Sequence, residues 1–164
     1  MEKAELLSEI DKTMVGLLDL MSFLDAEKIN TVPYPDSWTA AQLLRHVTKS
    51  TIGMAKAMTA PEKQAGREPD ARLSELQTVF LDFSTKLNSP EFIVPEAGPY
   101  EKDRSMQELK IAFDKLKENS NNKDLNSLVE GLPLGPITKL EILHFSLYHT
   151  QRHLRQMKKI IDAL

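Results

Sequence analysis

The sequence predicts an all-α fold, a four-helix bundle with an elaborated middle segment, and three observations carry that reading. Apolar residues recur at helical spacing along most of the 164 residues. Three Ser/Thr-x-x-Glu/Gln patterns, TAAQ, SMQE and TKLE, have the form of helix-starting capping boxes. The prolines gather between the periodic stretches, where a missing amide donor does least harm.

Taken in order, the first helix is expected from about Glu2 to Lys28, with Leu6, Ile10, Thr13, Leu17, Leu20 and Leu24 on one stripe. Pro33 and Pro35 then disfavour helix in the residues before them. Thr39 and Gln42 restart it as a reciprocal cap, with Trp38 placed to staple onto Leu43, and the second helix should run to about Met58. Ala71 to Phe80 is expected to be a shorter helix. The prolines and glycine of LDFSTKLNSPEFIVPEAGPY predict a long irregular connection whose Phe and Ile need cover. Ser105 and Glu108 are expected to open a helix through Lys117, with Leu109, Ile111, Phe113 and Leu116 apolar. The polar NSNNKDLNSLVEGLPLGP follows, with one short turn at Leu125, Leu128 and Val129. Thr138 and Glu141 cap a last helix that continues almost to Leu164. No internal repeat divides the chain, so residues 1–164 are expected to form a single domain.

Hydrophobic residues at 41% and charged ones at 27% describe a globular protein that is neither disordered nor membrane-embedded. A net charge of −3 offers no general attraction to nucleic acid or anionic lipid. With no cysteine, disulfides, thiolate ligands and a cysteine nucleophile are excluded. The amphipathic, charged N-terminus does not resemble a secretory leader, and a cytoplasmic location is the expectation.

Three of the four histidines fall within ten residues of the last helix. At about 100° per residue, Ile142, Phe145, His149, His153, Gln156 and Ile160 share one arc, so His149 and His153 point with the residues that face the interior. His144 lies well around the cylinder beside Tyr148 and is expected to be exposed. The fourth, His46, sits on a face of the second helix with Leu43, Ser50, Gly53 and Ala57, whose small side chains leave room beside the imidazole. Inward histidines serve either as hydrogen-bonded core residues or as ligands. Two imidazoles in low dielectric both need partners and repel when protonated, and a third from another helix would complete a neutral set that leaves coordination positions open.

The pair of segments SWTAAQLLRHV and TKLEILHFSLYHTQRHLRQM resembles the DinB-like superfamily, with its W-[ST]-x-x-[EQ]-x-L-x-x-H segment and late H-x-x-x-H-x-x-Q. The resemblance follows the element order along nearly the whole chain. It implies a four-helix bundle in which His46, His149 and His153 bind a divalent metal, commonly zinc or nickel, while Gln156 matches the residue that follows the pair and would touch a ligand instead of the metal. The superfamily's characterised members include metal-dependent transferases and isomerases that use low-molecular-weight thiols, which implies a metal-dependent transferase acting on a small-molecule substrate with a small thiol or a related metal-activated nucleophile. A hydrolase and a non-catalytic metal- or ligand-binding bundle are the alternatives. An open metal held by neutral imidazoles keeps its full charge and favours anionic substrates or nucleophiles. No Gly-x-Ser-x-Gly turn, glycine-rich phosphate loop or spaced carboxylate pair competes for the chemistry.

Two further groups on the last helix need an account. Glu141 reads as a cap instead of a base, and the basic end at Arg152, Arg155, Lys158 and Lys159 as charge complementing the helix C-terminus, with nucleic acid poorly supported. Leu140, Leu143, Leu147, Leu154 and Ile161 form a second apolar stripe roughly opposite the histidines. Either the Phe83–Val94 segment covers it or a second copy does. A homodimer is the favoured expectation, because five aliphatic side chains are much for one loop to hide and because the resemblance points to a family that often dimerises.

Overall fold

In the computed structural model, which describes residues 1–164, the first apolar stripe is buried on α1 (Lys3–Ser22). Leu6, Ile10, Leu17 and Met21 are fully buried. The helix stops short of Lys28 because Asp25 accepts from the amides of Glu27 and Lys28, giving the backbone a local alternative that leads into a 3₁₀ turn at Lys28–Asn30. The second helix, α2 (Ala40–Ala57), starts where its cap predicts: Thr39 Oγ1 accepts from the Gln42 amide at 3.1 Å, and Gln42 Oε1 accepts from the Thr39 amide at 3.0 Å.

The weaker segment forms α3 (Leu73–Leu81). The next start is displaced: α4 spans Lys102–Ser120, and its cap is Glu101, whose carboxylate accepts from the amides of Asp103 and Arg104. Ser105 lies one turn inside, its hydroxyl donating to the Glu101 carbonyl, so a serine that looks like a cap is a buried residue of the first turn. Ile111 on this helix faces solvent at 58% exposure, while Leu109, Phe113 and Leu116 are fully buried. In place of the expected turn at Leu125–Val129, a two-residue strand β1 (Leu128–Val129) pairs antiparallel with β2 (Ile137–Thr138). The GLPLG connection between them needs glycine at both ends, where φ is +80° at Gly131 and +75° at Gly135. Thr138 and Glu141 then cap α5 (Lys139–Asp162) as a reciprocal box.

The four long helices form the bundle, with α4 against α2, α5 against α1, and α2 also packed on α5; α3 lies on the outer side of α5. Leu17, Leu44, Phe113 and Ile142 belong to one buried cluster drawn from all four. The second apolar stripe of α5 is covered inside the chain by α1, a cover the sequence reading did not consider. Leu143 and Leu147 are buried, and Leu154 closes on Gly16, where an added Cβ would lie 3.3 Å from it. The Phe83–Val94 segment does return to α5, but to its histidine side, while Leu140, Leu154 and Ile161 of the stripe stay half-buried. No helix is long and apolar enough to cross a membrane.

Residues 60–72 fold over the start of α5. The Glu141 carboxylate, with no exposure, accepts from Arg67 at 2.6 and 2.8 Å, from the Arg72 amide at 2.8 Å and from the Thr138 amide at 2.8 Å. Thr138 Oγ1 donates to the Pro69 carbonyl, and the buried Lys139 ammonium to the Ala60 carbonyl. On this side lies His144, which is 6% exposed and not on the surface as expected, its Nδ1 3.2 Å from the Tyr148 hydroxyl. Burial first, and then the nearby N-terminal ammonium, lower its pKa.

Candidate metal centre

Helix α2 delivers His46 and α5 delivers His149 and His153 to one point between them, all at least nine-tenths buried. The three Nε2 atoms form a triangle with every side 3.1 Å. The remaining nitrogens decide which of these atoms carry protons. His46 Nδ1 lies 2.9 Å from the Ile93 carbonyl, which can only accept, so Nδ1 holds the hydrogen and Nε2 keeps its lone pair. His153 Nδ1 meets the Gln156 amide oxygen at 2.9 Å with the same consequence. At most one proton, on His149, is left for three close N···N approaches.

Such an arrangement is unfavourable by itself. Two lone pairs face each other with no hydrogen between them, in surroundings that exclude water. An electron-pair acceptor at the centre resolves the conflict. The Nε2 atoms of His46, His149 and His153 would hold a divalent ion, which would satisfy their lone pairs together. The donor set fits.

The electrostatics agree. Burial pushes the His153 imidazole down to about 3, with the neighbouring His46 adding to the effect. Burial and then the other two rings hold His149 well below its ordinary value. Burial likewise lowers His46, though the Ile93 bond opposes it. All three are neutral at physiological pH, the form that coordinates a metal.

The triangle lies against a cavity of about 890 Å³. Trp38, whose ring centroid is 4.9 Å from that of His46, lines one wall, and Phe80, edge-on to Phe145 at 4.9 Å, lines another. The outer wall is the irregular segment after α3. Arg152, on α5 between the two histidines, holds that segment by donating to the carbonyls of Phe80, Asp82 and Thr85. Arg155 lies 4.4 Å over the Phe83 ring.

Sequence reasoning brought the three histidines and Gln156 to one place and the structure puts them there. It missed Ile93, Phe80 and Arg152. Ile93 acts through its backbone carbonyl and carries no side-chain signal. Phe80 closes a helix read without reference to the site, and Arg152 was counted with the helix-end charges although it lies more than two turns from the end of α5.

Relatives share this framework. The sequence profile of the DinB superfamily matches residues 9–157. The uncharacterised protein YuaE of Bacillus subtilis (strain 168) is 27% identical over 152 residues, covering 86% of this chain and 88% of that one. Two crystal structures superpose over almost the full length: TT2238, a four-helix bundle protein, with a TM-score of 0.63, 16% identity and coverage of 95% of this chain and 98% of that one, and a conserved protein from Enterococcus faecalis with a TM-score of 0.61, 14% identity and 99% coverage of both. At those identities the two structures speak for the fold alone. The profile match takes in the second helix with His46 and the last with His149 and His153, and on that match the chain belongs to the DinB superfamily.

Proposed function

We propose that His46, His149 and His153 bind one divalent ion, zinc or nickel, and that the protein is a metal-dependent transferase acting with a low-molecular-weight thiol. The observation that carries the reading is the triangle of Nε2 atoms, two of them forced to present lone pairs, beside a cavity that admits a small molecule. When bound, the ion supplies positive charge that makes a thiolate available near neutral pH. The chain's own groups do the rest: Ile93 and Gln156 fix the ring orientations, and Trp38 and Phe80 exclude water from the imidazoles.

The choice of thiol transfer over hydrolysis rests on the cavity wall. A metal-assisted hydrolase commonly keeps a carboxylate near the attacking water as a base. The only carboxylate on this wall is the exposed Asp36, whereas Glu141 is consumed at the start of α5. A nucleophile that loses its own proton readily is the better match.

Two measurements test the reading. Untagged protein should carry about one zinc or nickel ion per chain. After cobalt substitution, a small thiol should produce a thiolate-to-cobalt charge-transfer band; a loaded protein with no such band would remove the thiol and leave a bundle that binds metal without this chemistry. In the same titrations Gln156→Ala should weaken metal binding by about 10- to 100-fold, because an imidazole whose other nitrogen is no longer held loses orientation and basicity.

A further inference from the structure

The cavity wall is unlike the rest of the molecular surface in its charge. In a chain with 24 acidic and 21 basic residues, Lys49, Lys86, Arg152, Arg155 and Lys159 line it against the single carboxylate of Asp36. Two of the five cations are occupied. Lys49 pairs with Glu96 at 2.8 Å, pushing that carboxyl down to about 2, and Arg152 holds the carbonyls of the outer wall. Lys86, Arg155 and Lys159 make no ion pair, although many of the other basic side chains, from Lys12 to Lys117, do.

From these three uncommitted cations we infer an anion subsite at the outer part of the cavity, which takes the carboxylate or phosphate end of a ligand with an apolar body. Arg155 and Lys159 stand one turn apart on α5 and so project side by side. Arg155 has its guanidinium carbon 4.4 Å over the Phe83 ring, a contact that leaves its N–H groups without a carboxylate partner and able to engage a carboxylate or phosphate with two bonds. Arg152 brings Lys86 to the same wall by holding the Thr85 carbonyl. The helix C-terminus accounts for Lys159, which lies in the last turn of α5, but not for Arg155, nearly two turns before Asp162, nor for Lys86 on the outer wall. Val79, Phe83 and Trp38 supply apolar wall between this end and the imidazoles. A partly open cavity of about 890 Å³ is of the size that takes a small molecule.

The subsite deepens the transferase reading by giving one substrate a negative charge. It depends on that reading for its use but not for its occupancy, so the test uses metal-free protein. Trp38, the sole tryptophan, lines the cavity and reports binding by its fluorescence. Octanoate and octyl phosphate should bind at least about tenfold more tightly than octanol, with the preference shrinking as salt is added. The double variant Arg155→Gln, Lys159→Gln should lose that preference while still binding octanol, which shows that it folds. Lys158→Gln removes a charge from the same helix outside the cavity and should leave the preference intact. Equal binding of octanoate and octanol, no binding of either anion, or an equal loss in Lys158→Gln would each overturn the subsite. Metal content measured on the same preparations reports separately on the histidine centre.

Discussion

Replacing His149 with alanine is expected to abolish tight binding of a divalent ion. Loss of a group that merely orients a ligand costs about 10- to 100-fold, so loss of one of three direct donors should exceed a hundredfold. The two remaining imidazoles, His46 from α2 and His153 from α5, supply only two of the three nitrogen donors. The same change should flatten the thermal response. Metal at a thousandfold excess over its Kd stabilises a binding-competent protein by about 4 kcal/mol, since only the folded state holds the site, and the variant should show almost none of that gain. His144→Ala is the control. Its ring lies off the metal-facing arc, so metal binding should persist, but its burial against Tyr148 means that stability falls by about 1 to 2 kcal/mol. Equal losses of metal in the two variants would place the centre elsewhere.

Glu141→Ala should be the most destabilising single change outside the core, at about 3 kcal/mol or more by urea unfolding. It strips Arg67 of its partner and leaves the amides of Thr138 and Arg72 without an acceptor in a buried place. Glu141→Gln retains an acceptor without the charge and should lose roughly half as much. The pH dependence has a definite sign. Burial by itself would raise this carboxyl, but Arg67 and the two amides outweigh it and hold the pKa below the ordinary 4.5. A group depressed in the folded state stabilises above its unfolded value and loses that contribution as pH falls through the folded one. The gap between wild type and Glu141→Gln should therefore be full at neutral pH and shrink below about pH 4.5. A gap that grows on acidification would contradict the geometry at Glu141.

Local chemistry explains why some of this was legible in advance. Thr39 with Gln42, and Thr138 with Glu141, each satisfy two amides with side chains three residues apart, so the starts of α2 and α5 are written in adjacent residues. Those two starts fix the rotational setting of both helices, and the histidine faces follow from it. Ser105 shows the limit: the same pattern occurs there, yet Glu101 captures the amides one turn earlier. The cover of the second apolar stripe was illegible for another reason. Periodicity states that Leu143 and Leu154 need burial but not which helix supplies it, and the fit of Leu154 against Gly16 exists only after α1 and α5 have met. The middle segment was harder still, because its placement depends on Arg67, Arg152 and backbone carbonyls that lie far apart in sequence.

The outer wall of the cavity is tied at both ends and slack between them. Arg152 holds it as far as Thr85, the Ile93 carbonyl holds it at His46, and no hydrogen bond tethers residues 86–89. Those residues face the cavity and contribute nothing to the bundle's own bonding. Part of the cavity's lining is thereby free of any share in the bundle's hydrogen bonding. Substitutions, or a change of length, between the two tethers can reshape what the cavity accepts while the helices, the caps and the histidine triangle stay as they are. A lineage built on this scaffold could diversify its substrates through a handful of residues without first acquiring stability to spare.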